Sequence, residues 1–269
     1  MACGCGRSED GCRGWHALSE EEYLIELEAY KQSKDGNFRV TEVEHYTDSL
    51  FKFKLTKPTD LVFKAGQFTM ISVEDAPKRA YSMTSGPEDN FLEFFSIKVP
   101  NGPLTSKLQK IQPGDYVSVS NKATGTLIID NLTEGDNLWL MATGTGIAPF
   151  ISMLSDDRTY DRFKKITVVW SVRVKEELDA FHQFLKDIDI DYIPIVTRDE
   201  SWQGIDERMT SLIKEETLME EATPDNDKVM VCGNMDFNKE IKEILESKGW
   251  TEGSNRENGS FVLEKAFVS

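Results

Sequence analysis

The sequence predicts two joined domains, an antiparallel β-barrel followed by a parallel α/β sheet. Three observations carry this. From residue 38 to about 130, apolar residues fall in short alternating runs cut by Gly and Pro turns. After residue 137 the runs become continuously apolar and alternate with helical patterns, as strands buried on both faces do. A glycine-rich string, Thr143-Gly144-Thr145-Gly146-Ile147-Ala148-Pro149-Phe150, stands between the first such run and a helical segment. A chain of 269 residues is long enough for both domains.

The elements follow in order. Residues 1–18 are rich in Gly and Cys and have no periodicity. Ser19-Glu20-Glu21-Glu22 reads as a capping box, predicting a helix over about 19–32 with Tyr23, Leu24, Leu27 and Tyr30 on one face. Lys34-Asp35-Gly36-Asn37 breaks it. Strands are expected at 50–55, 67–73, 91–99 and 116–120, separated by Lys57-Pro58, Ala65-Gly66, Ser85-Gly86-Pro87 and Gln112-Pro113-Gly114-Asp115. One helical interruption runs from Leu104 to Ile111. The parallel sheet draws on Leu138 to Ala142, Ile166 to Trp170, Tyr192 to Val196 and Val229 to Val231. The clearest helix between them is Glu176 to Ile188, with Leu178, Phe181, Leu185 and Ile188 on one face. The boundary falls near 131–137. The expected division is therefore an N-terminal extension over 1–37, a barrel over 38–133 and an α/β domain over 134–269.

Composition bounds the function. A net charge of −16 argues against general nucleic-acid binding. No apolar run reaches the ~20 residues of a membrane span, and no apolar stretch of the secretory type opens the chain. A cytoplasmic protein is expected. The charge is uneven: residues 38–130 hold 11 basic and 11 acidic side chains, residues 131–269 hold 16 and 28. The barrel segment thus repels an acidic protein partner least, and Lys52, Lys54, Lys57 and Lys64 lie in it. They are either a docking face or solvated strand edges protected by lysine.

Three motifs carry chemistry. In Arg79-Ala80-Tyr81-Ser82, strand geometry puts residues 79 and 81 on one face and 82 on the other. Arginine can fork onto a pyrophosphate, tyrosine can lie flat on a conjugated heterocycle, and serine can bond a ring nitrogen. The bland alternative is an ordinary strand end. In Asn101-Gly102-Pro103-Leu104-Thr105-Ser106, Pro103 stands where a first helical residue belongs. Free N–H groups and two hydroxyls there make an anion site, or a plain helix cap. The glycine-rich string offers a helix start to a dinucleotide pyrophosphate, although Ala148-Pro149 departs from G-x-G-x-x-G. Arg173 and Arg198 follow expected strands on the ligand side of a parallel sheet, where guanidinium groups fit a ribose 2′-phosphate or are simply exposed.

Arg79–Ser82, Gly102–Ser106, Thr143–Phe150, Val231-Cys232-Gly233-Asn234 and the tail Glu264-Lys265-Ala266-Phe267-Val268 occur in one order. Together, over residues 38–269, they resemble the bacterial type of the ferredoxin–NADP reductase family. The resemblance implies a six-stranded FAD-binding barrel, then an NADP-binding parallel-sheet domain. It implies that Arg79 contacts the FAD pyrophosphate, Tyr81 stacks on the isoalloxazine and Ser82 bonds the flavin N5 region, with Ala80 beside them. Ile97, Lys98 and Val99 would line the flavin edge, Gly102, Leu104, Thr105 and Ser106 would take the pyrophosphate, and Thr124 would lie close to the flavin. Thr145, Gly146 and Gly233 would hold NADP, with Arg173, Arg198 and Arg208 on its 2′-phosphate. The family has an arginine soon after a glycine pair; here Gln203-Gly204 is followed by Ile205-Asp206-Glu207 before Arg208.

Cys232, otherwise a small core residue, would sit where nicotinamide approaches the flavin, giving a catalytic set of Tyr81, Ser82 and Cys232. Ala266 and Phe267 would cover the flavin and move to admit nicotinamide. The implied activity is hydride exchange between NADPH and FAD, and electron exchange with a ferredoxin or flavodoxin, by a monomer. The alternative is the reductase component of an oxygenase chain, which often carries a ferredoxin domain not seen in these residues.

Cys3, Cys5, Cys12 and His16 lie outside the resemblance. C-x-C-x₆-C-x₃-H supplies four soft ligands, enough for tetrahedral zinc. An iron–sulfur site and a metal-free leader are the alternatives.

Overall fold

The computed structural model describes residues 7, 13–58 and 60–265. Helix α1 (Glu20–Lys34) starts at Ser19, whose hydroxyl accepts from the Glu22 amide while the Glu22 carboxylate accepts from Ser19, the expected capping box. Its expected apolar face forms in part, with Tyr23, Leu27 and Tyr30 half-buried. No residue of α1 is buried, and Leu24 and Ile25 are exposed. The extension is anchored instead by buried Trp15, edge-on to Tyr23 at 5.8 Å and to Tyr30 at 5.6 Å, with Arg13 over the Tyr30 ring at 3.9 Å.

The barrel consists of β1 (Asn37–His45), β2 (Leu50–Thr56), β3 (Phe68–Ser72), β4 (Arg79–Ser82), β5 (Phe91–Ile97) and β6 (Tyr116–Thr124). They pair antiparallel in the order β4-β3-β6-β1-β2-β5, and a Met83–Phe94 bridge brings the two outer strands together. Alternation decides what fills it. Phe51, Phe53 and Leu55 point inward with Phe94, Phe53 and Phe94 stacking at 5.3 Å, while Leu50, Lys52 and Lys54 take the outer face. Helix α2 (Thr105–Leu108) is shorter than the expected 104–111 helix. Leu104 is its N-cap, so Pro103 stands in the preceding turn rather than in the first helical position.

The second domain is a parallel sheet of β7 (Asn137–Thr143), β8 (Lys165–Val172), β9 (Asp191–Val196), β10 (Asp227–Gly233) and β11 (Phe261–Lys265), in the order β11-β10-β7-β8-β9. Helices α3 (Ala148–Leu154), α4 (Asp157–Arg162), α5 (His182–Asp187), α6 (Met209–Lys214) and α7 (Met235–Ser247) connect the strands. Every residue of β10 and of α3 is buried, which explains their uniformly apolar reading. The expected 176–188 helix breaks in two: a tight turn spans Lys175–Leu178, and α5 starts only after Phe181. Phe181 leaves the helical line to pack edge-on against Phe95 of the barrel at 5.1 Å, and it also meets Trp170 at 6.2 Å.

That contact belongs to a larger seam. Leu50, Ala65, Phe95 and Leu127 from the barrel side share one buried cluster with Phe150, Met153, Trp170 and Phe181. Ser152 donates its hydroxyl to the Ser85 carbonyl across it at 2.6 Å. Among the described residues, no helix is long and apolar enough to cross a membrane.

Candidate active site

The carboxyl ends of β7, β8, β9 and β10 open on a cleft of about 600 Å³, closed on its barrel side by Leu50 and Ile97. This is the end of a parallel sheet where ligands bind. The glycines of the cleft are dictated by packing. A Cβ on Gly146 would lie 2.1 Å from the Cys232 carbonyl oxygen, and one on Gly233 would lie 2.4 Å from Thr143 Oγ1. The loops after β7 and β10 are thus pressed together. The Gly144 carbonyl accepts from Trp170 Nε1 at 2.8 Å, which fixes the loop from the side of the core.

All three expected arginines line this one cleft. Arg173 and Arg198 come from neighbouring strand ends, and the Arg198 amide donates to the Arg173 carbonyl at 2.8 Å. Arg208 arrives through tertiary structure. The Val196 amide donates to the Ile205 carbonyl at 3.0 Å, folding the 199–208 loop back across β9 and setting Arg208 at the start of α6. Its late position in the sequence is therefore compatible with the cluster. Thr145 lies in the cleft wall, and Gly146 and Gly233 lie just behind it.

Outside this cleft the two domains also meet where the residue after β6 faces β11. Phe68 of β3 pairs in register with both Ser82 and Thr124. A Cβ on the next residue, Gly125, would lie 3.1 Å from Glu264 Oε1 and 3.4 Å from the Phe68 ring. Glu264 is the register partner of Cys232. Glu264 of the second domain thus meets the residue after β6, with Cys232 beside it in the sheet. Asn238 donates to the Glu264 carbonyl at 2.7 Å, yet Asn238 Oδ1 and Glu264 Oε2 are buried with no hydrogen-bond partner among the described residues. Orphaned acceptors at such a place fit a ligand that brings N–H or O–H donors. Burial pushes the Glu264 carboxyl up to about 7, a backbone hydrogen bond from Thr126 opposing it in part.

The barrel residues are placed as follows. Arg79 is half-buried, with one guanidinium hydrogen bond, to the Lys78 carbonyl at 3.1 Å. Ala80 is exposed and Ser82 half-buried. Tyr81 is 7% exposed: its ring stands edge-on to Phe94 and its hydroxyl meets Ser96 Oγ at 3.1 Å. Burial raises that hydroxyl's pKa. Most of the ring is therefore committed to the barrel interior, and only a small part is open to a ligand. Lys98 donates to the Thr47 carbonyl at 2.5 Å, and the exposed Val99 gives its carbonyl to Thr105 Oγ1 at 3.1 Å. The Ser106 amide donates to the Gly102 carbonyl at 3.1 Å, so the hydroxyl of Thr105 and the amide of Ser106 are already used within the turn. Leu104 is buried and Thr124 exposed.

The four lysines expected as either a docking face or solvated strand edges all have partners within the barrel segment. Lys54 pairs with Glu42 at 2.7 Å, Lys52 lies 3.4 Å from Glu93, and Lys64 pairs with Asp130 at 2.8 Å. Lys57 donates to the Pro87 and Asp89 carbonyls. Each cation is neutralised or tied to the backbone, so they form no free basic patch.

His16 lies in the turn Trp15–Ala17, whereas Cys3, Cys5 and Cys12, like Ala266 and Phe267, lie outside the described residues. Among the described residues, no cluster of His, Cys, Asp and Glu could hold a metal ion. Sequence reasoning missed Glu177, Asn238 and the side chain of Glu264. Single carboxylates in so acidic a chain give no local signal.

Comparison with known proteins agrees with this geometry. The Oxidoreductase FAD-binding domain family matches residues 38–126, and the Oxidoreductase NAD-binding domain family matches residues 140–243. A flavodoxin/ferredoxin–NADP reductase of Rhodobacter capsulatus is 40% identical over 248 residues, covering 85% of this chain and 92% of the relative. A ferredoxin–NADP reductase of Pseudomonas aeruginosa is 40% identical over 253 residues, covering 86% and 96%. The crystal structure of a ferredoxin NADP+ reductase from Neisseria gonorrhoeae with bound FAD and NADP superimposes with a TM-score of 0.81 at 29% identity, covering 86% of this chain and 98% of that one. With a barrel and a parallel sheet joined by one buried seam, and relatives matched over nearly their whole length, the chain belongs to the ferredoxin–NADP reductase family, bacterial type.

Proposed function

We infer that this chain is an FAD-dependent reductase that passes electrons between NADPH and a ferredoxin or flavodoxin. One observation carries the reading. A single cleft at the carboxyl end of the parallel sheet gathers all three arginines with Thr143, Gly144 and Thr145 of the glycine loop, and reaches Leu50 and Ile97 of the barrel. It thus joins guanidinium groups that fit a 2′-phosphate to the glycine loop of a dinucleotide site and to the barrel wall. The Rhodobacter relative is named for both partner types, and the Neisseria protein holds both cofactors.

FAD, when bound, supplies a centre that exchanges a hydride with NADPH and single electrons with the partner. The chain's residues supply binding, orientation and exclusion of water. Arg79 has guanidinium N–H groups left for a pyrophosphate, and the exposed Val99 edge leads toward it. Thr143, Gly144 and Thr145 line the cleft, and the close glycine packing behind them holds this loop where a second dinucleotide can meet its main chain. Arg198 and Arg208, exposed on the cleft rim, take its 2′-phosphate together with Arg173. Cys232 is fully buried and acts as a wall that sets ring position, with no base assigned to it.

The direct test is spectroscopic. Purified protein is expected to be yellow, to be bleached by NADPH, and to pass those electrons to a ferredoxin or flavodoxin. Protein that takes up no FAD would sink the reading. Arg79→Ala is expected to weaken FAD binding by about 1.5–3 kcal/mol, the value of a hydrogen bond to a charged group. Titration of FAD into apoprotein measures this, and unchanged affinity refutes the role. Arg198→Ala is expected to lower the NADPH/NADH ratio of kcat/KM about tenfold, the loss of one charged contact. An unaltered ratio removes Arg198 from the phosphate site.

A further inference from the structure

We propose that Glu177 is a positioning residue for recognition of the dinucleotide 2′-phosphate, acting through Arg173. The proposal rests on the reading that Arg173 meets that phosphate. Glu177 sits in the turn Lys175–Leu178 and is 4% exposed, a costly place for a carboxylate unless it is paired. Its partner is a single residue. Oε1 accepts from Arg173 Nε at 3.1 Å and from Nη2 at 2.6 Å, and Oε2 accepts from the Arg173 backbone amide at 2.9 Å. One carboxylate therefore fixes both the main chain and the guanidinium of Arg173.

The two halves of this pair are unequally exposed. The Glu177 side chain is 5% exposed and that of Arg173 is 56% exposed. The guanidinium gives Nε and Nη2 to the carboxylate and leaves Nη1 with no hydrogen bond among the described residues, and both residues line the cleft. The planar fork is thus split between an internal anion and an external one. An unrestrained exposed arginine would lose rotamer freedom on meeting a phosphate, and here that ordering is already done. The Arg173 carbonyl in turn receives the Arg198 amide at 2.8 Å, so the same carboxylate steadies the platform on which the second arginine stands. A dinucleotide without the 2′-phosphate asks nothing of Arg173, whose charge Glu177 has already matched. Loss of Glu177 should therefore fall on NADPH and spare NADH.

The test compares Glu177→Gln, Glu177→Ala and Arg173→Ala in the holoenzyme, with ferricyanide as electron acceptor. It reads KM for NADPH and NADH, and inhibition by 2′,5′-ADP and 5′-AMP. In Glu177→Gln the amide keeps one acceptor oxygen where the carboxylate had two. We expect it to raise KM for NADPH and Ki for 2′,5′-ADP about tenfold, while kcat, KM for NADH and Ki for 5′-AMP stay within about twofold. Unchanged KM for NADPH, or a parallel rise for NADH, overturns the proposal. If Arg173→Ala leaves 2′,5′-ADP inhibition unchanged, the phosphate reading of Arg173 fails. If Arg173→Ala weakens it and Glu177→Gln does not, only the role of Glu177 fails. Should Glu177→Ala be insoluble, the isosteric Gln variant decides alone.

Discussion

Replacing Gly146 by alanine is expected to cost about a hundredfold in kcat and roughly 3 kcal/mol of stability, through one methyl group. The added Cβ would lie 2.1 Å from the Cys232 carbonyl oxygen and 2.7 Å from its carbon. Both are backbone atoms of a central strand, so no side-chain rotation relieves the clash. Either the loop after β7 or the end of β10 must move, and β10 is buried along its whole length. The displaced segment carries Cys232 and, through register, Glu264. A shift of about 1 Å at a reacting centre is enough for a loss of that size. Stopped-flow reduction by NADPH measures the kinetic effect, and a thermal melt should fall by roughly 6–10 °C. A variant with unaltered kinetics would show that the two loops are not in contact.

The second large effect is a pH dependence. Glu264 has its carboxyl pushed up to about 7 from an ordinary 4.5, chiefly by burial. A group whose pKa is raised on folding contributes its full stability below the unfolded value, and that contribution is lost as pH rises through the folded value. The native state should therefore weaken between about pH 4.5 and 7 on account of this residue, by roughly 3 kcal/mol in total. Glu264→Gln has no proton to lose. It is expected to match the parent protein near pH 4.5 and to exceed it in stability at pH 8, measured as the difference between paired urea melts. Parallel stability curves across that range would mean that the carboxyl is solvated.

Much of the fold could be read from residue order because alternation and continuous burial leave local marks. Phe51, Phe53 and Leu55 announce a barrel face, and Val229 to Val231 a strand covered on both sides. What escaped depends on partners distant in sequence. The helix over 176–188 breaks because Phe181 is needed against Phe95, which no window around residue 181 contains. The face of α1 is covered by Trp15, outside the helix, which packs on Tyr23 and Tyr30 while Leu24 stays exposed. The lysines of the barrel look free in sequence, yet Glu42, Glu93 and Asp130 lie 12 to 66 residues away from their partners. The site divides the same way. Glycine loops and strand-end arginines follow from backbone grammar, whereas Glu177 and Glu264 gain their meaning only from what folding brings beside them.

The buried seam at Leu50, Phe95 and Phe181 has a bearing on motion. A protein that works by jaws needs a wet, loosely packed joint, so that opening exposes little that was dry. Here the joint is an unbroken piece of core, sewn by the Ser152–Ser85 hydrogen bond, and prising it open would hydrate several aromatic rings at once. The walls of the cleft are consequently fixed in distance and angle.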